Sequence, residues 1–114
     1  VIVSTKKGLH ALENWRKEAE IYLLLVEKRL HRSVQGIETI RFNPFKGTSD
    51  GGGNQSFAIS FLNEDGDGVV VSSLYGRERM SVFAKPIKKW ESSFELSGEE
   101  KEAIKHTKGS VQQK

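Results

Sequence analysis

The sequence predicts an α+β fold: a long N-terminal helix, a four- to five-stranded antiparallel meander sheet and a short C-terminal helix. Three observations carry that expectation. Apolar residues recur at helical spacing through Leu9, Leu12, Leu23, Val26 and Leu30, then at strand spacing through Phe57, Ile59 and Phe61 and again through Met80, Val82 and Ala84. The strand-like segments are joined by links short enough for antiparallel neighbours, whereas a parallel crossover needs a dozen residues or more. Ser97 followed by Glu100 is a capping-box pattern and announces a second helix near the C-terminal end.

Taken in order, residues 1–8 are short and mixed. The helical seam then runs through Leu9, Leu12, Arg16, Ala19, Leu23, Val26 and Leu30, with Glu13 and Lys17 placed as a favourable i,i+4 pair. Such a seam is compatible with a coiled coil and with self-association through Leu9, Leu12, Leu23, Val26 and Leu30, although Arg16 interrupts it. The apolar block at 21–26 widens the stripe and equally suits packing on a sheet. Gly36 is read as the glycine that ends the helix. Ile37, Ile40 and Phe42 form a first strand, closed by Asn43-Pro44 because proline biases the residue before it toward extended backbone. A loop with Gly51-Gly52-Gly53 follows. Residues 55–62 alternate, with Phe57, Ile59 and Phe61 on one face and Ser56 and Ser60 on the other, a half-buried strand. Asp-Gly occurs twice within 63–68, which is turn chemistry. Val69 opens a third strand ending at Tyr75, and Met80 opens a fourth that Pro86 stops. Residues 90–96 add a short edge strand, and Ser97 caps the final helix. The expected division is a connector helix at 1–35, an α+β domain at 36–108 and a polar tail at 109–114.

Composition narrows the function classes. The chain has 114 residues, room for one core with little surplus stability. It has no cysteine, so disulfides, cysteine nucleophiles and thiolate metal sites are excluded. No apolar run reaches the ~20 residues that span a bilayer. A net charge of +3 permits nucleic acid or an anionic surface as partner without favouring either. The triple glycine leads into a strand and not into Gly-Lys-Ser/Thr and a helix, so it is no phosphate loop. Asn63, Asp65 and Asp67 start like a calcium loop, but Leu74 stands where a bidentate glutamate is required. His10, His31 and His106 lack a second ligand at metal spacing, and no serine has a nucleophile-elbow context. Neither a catalytic residue nor a metal or cofactor is therefore expected. Phe42, Phe57, Phe61 and Phe83 are most simply core, with Phe45 and Tyr75 the exceptions at strand ends. The placed polar set is Arg41, Arg77, Glu78, Arg79 and Lys85, which with Phe45 forms the candidate binding site. Arginine's planar fork suits an anion, while an Arg77–Glu78 ion pair at a hairpin is the plainer alternative.

These residues resemble a known family. Arg41 through Phe45, Gly52-Gly53-Asn54-Gln55-Ser56-Phe57, Gly68-Val69-Val70-Val71-Ser72-Ser73-Leu74-Tyr75-Gly76-Arg77-Glu78 and Ala84-Lys85-Pro86-Ile87 are similar, in order and spacing, to the uncharacterised bacterial family called domain of unknown function 4446. Leu96-Ser97, Glu99-Glu100 and Ala103-Ile104 resemble its closing motif, so the likeness spans 36–104. Arg41, Phe45, Ser56, Phe57, Gly76, Arg77, Glu78, Lys85 and Pro86 fall on its motif positions. The resemblance implies an N-terminal membrane helix, then a coiled-coil-like connector, then this domain. It thus implies that residues 9–34 are the connector and that any anchor lies before Val1. No activity, cofactor or catalytic residue comes with it. The sequence departs from the pattern at Ser81, where arginine is expected, at Phe83, where tyrosine is common, at Trp90, a usual glycine position, and in a longer loop at 46–53.

The resulting expectation is a non-enzymatic binding or scaffolding domain, oligomeric through its N-terminal helix. It sits at the cytoplasmic side of a bacterial inner membrane where an anchor precedes it and is cytoplasmic otherwise. The alternative is an anion or nucleic-acid binding module built on the arginine-containing turn and neighbouring basic residues.

Overall fold

The structure is a computed structural model that describes residues 2–44, 55–76 and 78–113. The chain divides into two compact units, Val1–Leu30 and His31–Lys114.

The first unit is helix α1, Ile2–Arg32, whose last two residues, His31 and Arg32, belong to the second unit. It starts earlier than the periodicity of the leucines suggests, because Gly8 alone weakens a helix by about 1 kcal/mol relative to alanine and does not stop it. Leu9, Leu12, Leu23 and Leu30 are exposed, and so are Trp15, Ile21, Tyr22, Leu24 and Leu25. The helix is therefore apolar on more than one side.

The second unit is a meander followed by a helix. Strands β1 (Gly36–Phe42), β2 (Ser56–Leu62), β3 (Gly68–Tyr75) and β4 (Met80–Ile87) lie in the order β1-β2-β3-β4, every neighbour antiparallel. Helix α2, Gly98–Gln112, packs on β2, β1 and β3. Its N-terminus carries the capping box that Ser97 and Glu100 foretell, each side chain bonding the other's backbone amide. It continues through the stretch expected to be a polar tail and buries Val111.

The register decides which residues α2 covers. Because side chains alternate across a sheet, the pairings Gly36↔Leu62, Glu38↔Ser60, Ile40↔Ala58 and Ser60↔Val70 place those residues on one face. On β2 that face holds Ser56, Ala58, Ser60 and Leu62, all buried, while Phe57, Ile59 and Phe61 point the other way. The alternation is the one the sequence shows, but the helix lies on the serine side. Small residues let a helix approach closely. Gly36 is the clearest case: a Cβ there would meet Val111 Cγ2 at 2.7 Å and Thr107 Cγ2 at 2.9 Å. Gly36 thus opens β1 under α2 and does not end α1. The core is Leu62, Val70, Ile87 and Ile104, with Trp90 and Leu96 packed against it. Phe57 and Phe61 are not part of it.

Two turns lock one end of the sheet. Between β2 and β3 the Gly66 amide donates to the Asn63 carbonyl at 3.1 Å and the Asn63 amide to the Asp67 carbonyl at 3.0 Å, with Gly66 at φ 82°. That is a type I turn followed by a left-handed residue, a common three-residue hairpin loop. Asn63 Oδ1 accepts from the amides of Asp65 and Asp67, which is why this loop only imitates a calcium site. After β4, Lys88 and Glu91 exchange backbone hydrogen bonds of 2.7 and 3.0 Å around Lys89 and Trp90, whose φ values are 51° and 69°. The edge strand expected at 90–96 shrinks to this one bridge. The Trp90 amide donates to the Gly66 carbonyl at 2.9 Å, and its ring covers Gly66 so closely that a Cβ would sit 2.3 Å from it.

Candidate functional site

Polar side chains on the face covered by α2 form a connected set. Glu100, 1% exposed, accepts from the Ser72 hydroxyl at 2.8 Å, from Lys85 Nζ at 2.8 Å and from the Ser97 amide at 2.8 Å. Lys85 Nζ also donates to the Glu95 carbonyl at 2.7 Å and lies 5.7 Å from the Phe83 ring centroid. One turn further along α2, the Ser60 hydroxyl donates to the Ala103 carbonyl at 2.9 Å and shares a hydrogen bond with Thr107. Burial pushes the Glu100 carboxyl up, but Lys85, the Ser97 amide and the Ser72 hydroxyl outweigh it and hold it below its ordinary range. Among the described residues, no buried side-chain polar atom lacks a partner. The set spends its hydrogen-bonding capacity on fixing α2 to the sheet.

The opposite face has a different character. Ile37, Thr39 and Arg41 of β1, Phe57, Ile59 and Phe61 of β2, Val69, Val71, Ser73 and Tyr75 of β3, and Met80, Val82, Ala84 and Pro86 of β4 share it. Met80 is 61% exposed, Val82 59% and Ile37 56%, with Tyr75 exposed as well. Among the described residues of this unit, α2 is the one helix that packs on the sheet, and it packs on the other face, with Trp90 and Leu96 against the same core. The open face thus carries apolar side chains on all four strands, interrupted by Thr39, Arg41 and the buried Ser73, with Phe57, Ile59 and Phe61 of β2 half-buried at its centre.

The sequence-predicted binding residues do not gather. Arg41 stands on the open face at edge strand β1, in register with Phe57. Lys85 stands on the covered face at the opposite edge strand β4, in register with Val70 and bound to Glu100. The same alternation that defines the sheet separates them, so one anion cannot touch both. Glu78 and Arg79 are exposed in the β3–β4 connection, where the Gly76 amide donates to the Arg79 carbonyl at 3.1 Å. Lys85 is five positions from Met80, roughly 17 Å along the strand from that turn. Phe45 and Arg77 lie outside the described residues.

A contact with no local signal in the sequence joins His31 to the β2–β3 loop. Its Nδ1 is 2.8 Å from Glu64 Oε2 and its Nε2 2.7 Å from Asp65 Oδ1. Ionised carboxylates only accept, so it is the imidazolium, with both ring nitrogens donating, that satisfies both contacts. The hydrogen bonds to Asp65 and then Glu64 raise its pKa above the ordinary histidine value. Among the described residues no group of His, Asp and Glu has metal-holding geometry, and no helix is long and apolar enough to cross a membrane.

A helix fixed to one face of a four-stranded antiparallel meander, with a long helix before it in sequence, defines a small two-layer α+β domain. The chain belongs to the family described as Protein of unknown function (DUF4446), whose model matches residues 1–108. No curated protein and no solved structure matches it.

Proposed function

We propose that this chain is a non-enzymatic binding or scaffolding domain whose working surface is the open face of the sheet. The observation that supports this reading is the contrast between a covered face whose polar groups are consumed by α2 and an open face with apolar side chains on all four strands. Large exposed apolar patches mark interaction sites more often than idle surface. Helix α1 serves as the connector and supports oligomerisation through Leu9, Leu12, Leu23, Val26 and Leu30. Where an anchor precedes this chain, the domain is held at the cytoplasmic side of a bacterial inner membrane, as the family resemblance implies; otherwise it is cytoplasmic.

The test uses Nile red with the folded chain at submicromolar concentration. Fluorescence enhancement is expected, and the double substitution Met80→Glu with Val82→Glu should abolish it while circular dichroism stays unchanged. Enhancement that survives the double substitution removes the open face as the working surface.

A further inference from the structure

We propose that the open face takes the same face of a second copy of this chain, giving an α2–sheet–sheet–α2 dimer. The proposal rests on the reading of the open face as the working surface and adds its occupant. Width is the first argument. Four strands spaced about 4.8 Å apart make a face roughly 19 Å across its side chains. A single helix is about 10–12 Å in diameter and would leave nearly half of that width wet. A sheet of equal width covers it, and this chain supplies one. Area is the second argument. Strands of seven or eight residues at about 3.3 Å each run roughly 25 Å, so the face projects to about 500 Å². Its side-chain relief brings the buried area toward the roughly 800 Å² per partner of a standard interface. Charge is the third. The strand residues on this face include a single formal charge, Arg41, on edge strand β1. A two-fold axis near the Ile59↔Val71 pair leaves Arg41 at the rim, so no like charges meet in the interior. Phe57, Phe61 and Val69 then fill the space between sheets that pack about 10 Å apart.

Sedimentation of the full chain over a low- to high-micromolar range tests this, with the Met80→Glu/Val82→Glu variant and, separately, Leu12→Glu/Leu23→Glu on α1. The face pair should raise the dimer dissociation constant by about tenfold or more. The α1 pair should leave face-dependent assembly in place. Because the chain has no cysteine, Ile59→Cys and Val71→Cys report the geometry directly: each should form disulfide-linked dimers under mild oxidation, whereas Lys105→Cys on the exposed side of α2 should not. A monomer at every concentration overturns the proposal, as does a dimer that only the α1 pair weakens. A monomer whose open face still binds Nile red overturns self-pairing and keeps the binding-domain reading. A monomer that binds no dye overturns both.

Discussion

The two faces of the sheet come from the same four strands and obey opposite rules. The face under α2 is lined by Gly36, Ala58, Ser60 and Ser72, so the helix sits close and the hydroxyls find partners on it. The face turned away holds Phe57, Ile59, Phe61 and Val71 and meets no element of its own unit among the described residues. Hydrophobicity alone would have put the helix on the phenylalanines. Close approach and polar satisfaction go with the covered face, and the phenylalanines of β2 lie on the other.

Substitutions can break or sharpen that contrast. The largest effect is expected at Lys85, 21% exposed and paired with the buried Glu100. Lys85→Met strands a buried carboxylate and should cost about 3 kcal/mol, the lower end for a broken buried pair, in denaturant unfolding. Adding Glu100→Gln should recover part of the loss. The pair also sets an acid limit. The Glu100 carboxyl is held low when folded, so its contribution is present above the unfolded carboxyl pKa and is lost as pH falls through the folded value. Next is Gly36→Val, which forces a side chain against Val111 and Thr107 and should cost about 2 kcal/mol by overpacking. A smaller, opposite change is expected at Lys89, which is exposed at φ 51°. Lys89→Gly should stabilise by about 1 kcal/mol by relieving left-handed backbone. On the open face, Val82→Ser should move monomer stability by less than about 0.5 kcal/mol, which separates that face from its counterpart. His31→Asn should act only through pH. The raised histidine pKa contributes stability below the unfolded value that is lost as pH rises through the folded one, so wild type and variant should converge at alkaline pH. Proton NMR titration of His31 provides the check.

The elements of the fold were legible because each is a local pattern. The leucine spacing marks α1, the alternation in 56–62 marks β2, and Ser97 with Glu100 marks the start of α2. The cap itself shows how far such reading goes. One carboxylate oxygen of Glu100 bonds the Ser97 amide nearby, while the other reaches Ser72, a contact that exists only through the sheet register. Gly36 reads as a helix terminator because glycine usually is one; its actual duty depends on Thr107 and Val111, far down the chain. His31 is likewise invisible until the β2–β3 loop comes back to it. Trp90 was legible only as a departure from a glycine position. Its φ of 69° explains why glycine is ordinary there, and the Gly66 contact explains how tryptophan is held. Within the candidate anion site, Arg41 and Lys85 are separated for a reason of parity: they alternate onto opposite faces.

The contact between Gly36 and Val111 has a mechanical consequence. It fastens the first residue of β1 to the last full turn of α2, so the two places where chain joins this unit lie side by side. Tension applied between α1 and the C-terminal end of α2 loads that fastening together with the hydrogen bonds that tie Gln35 and Gly36 to Leu62 of β2.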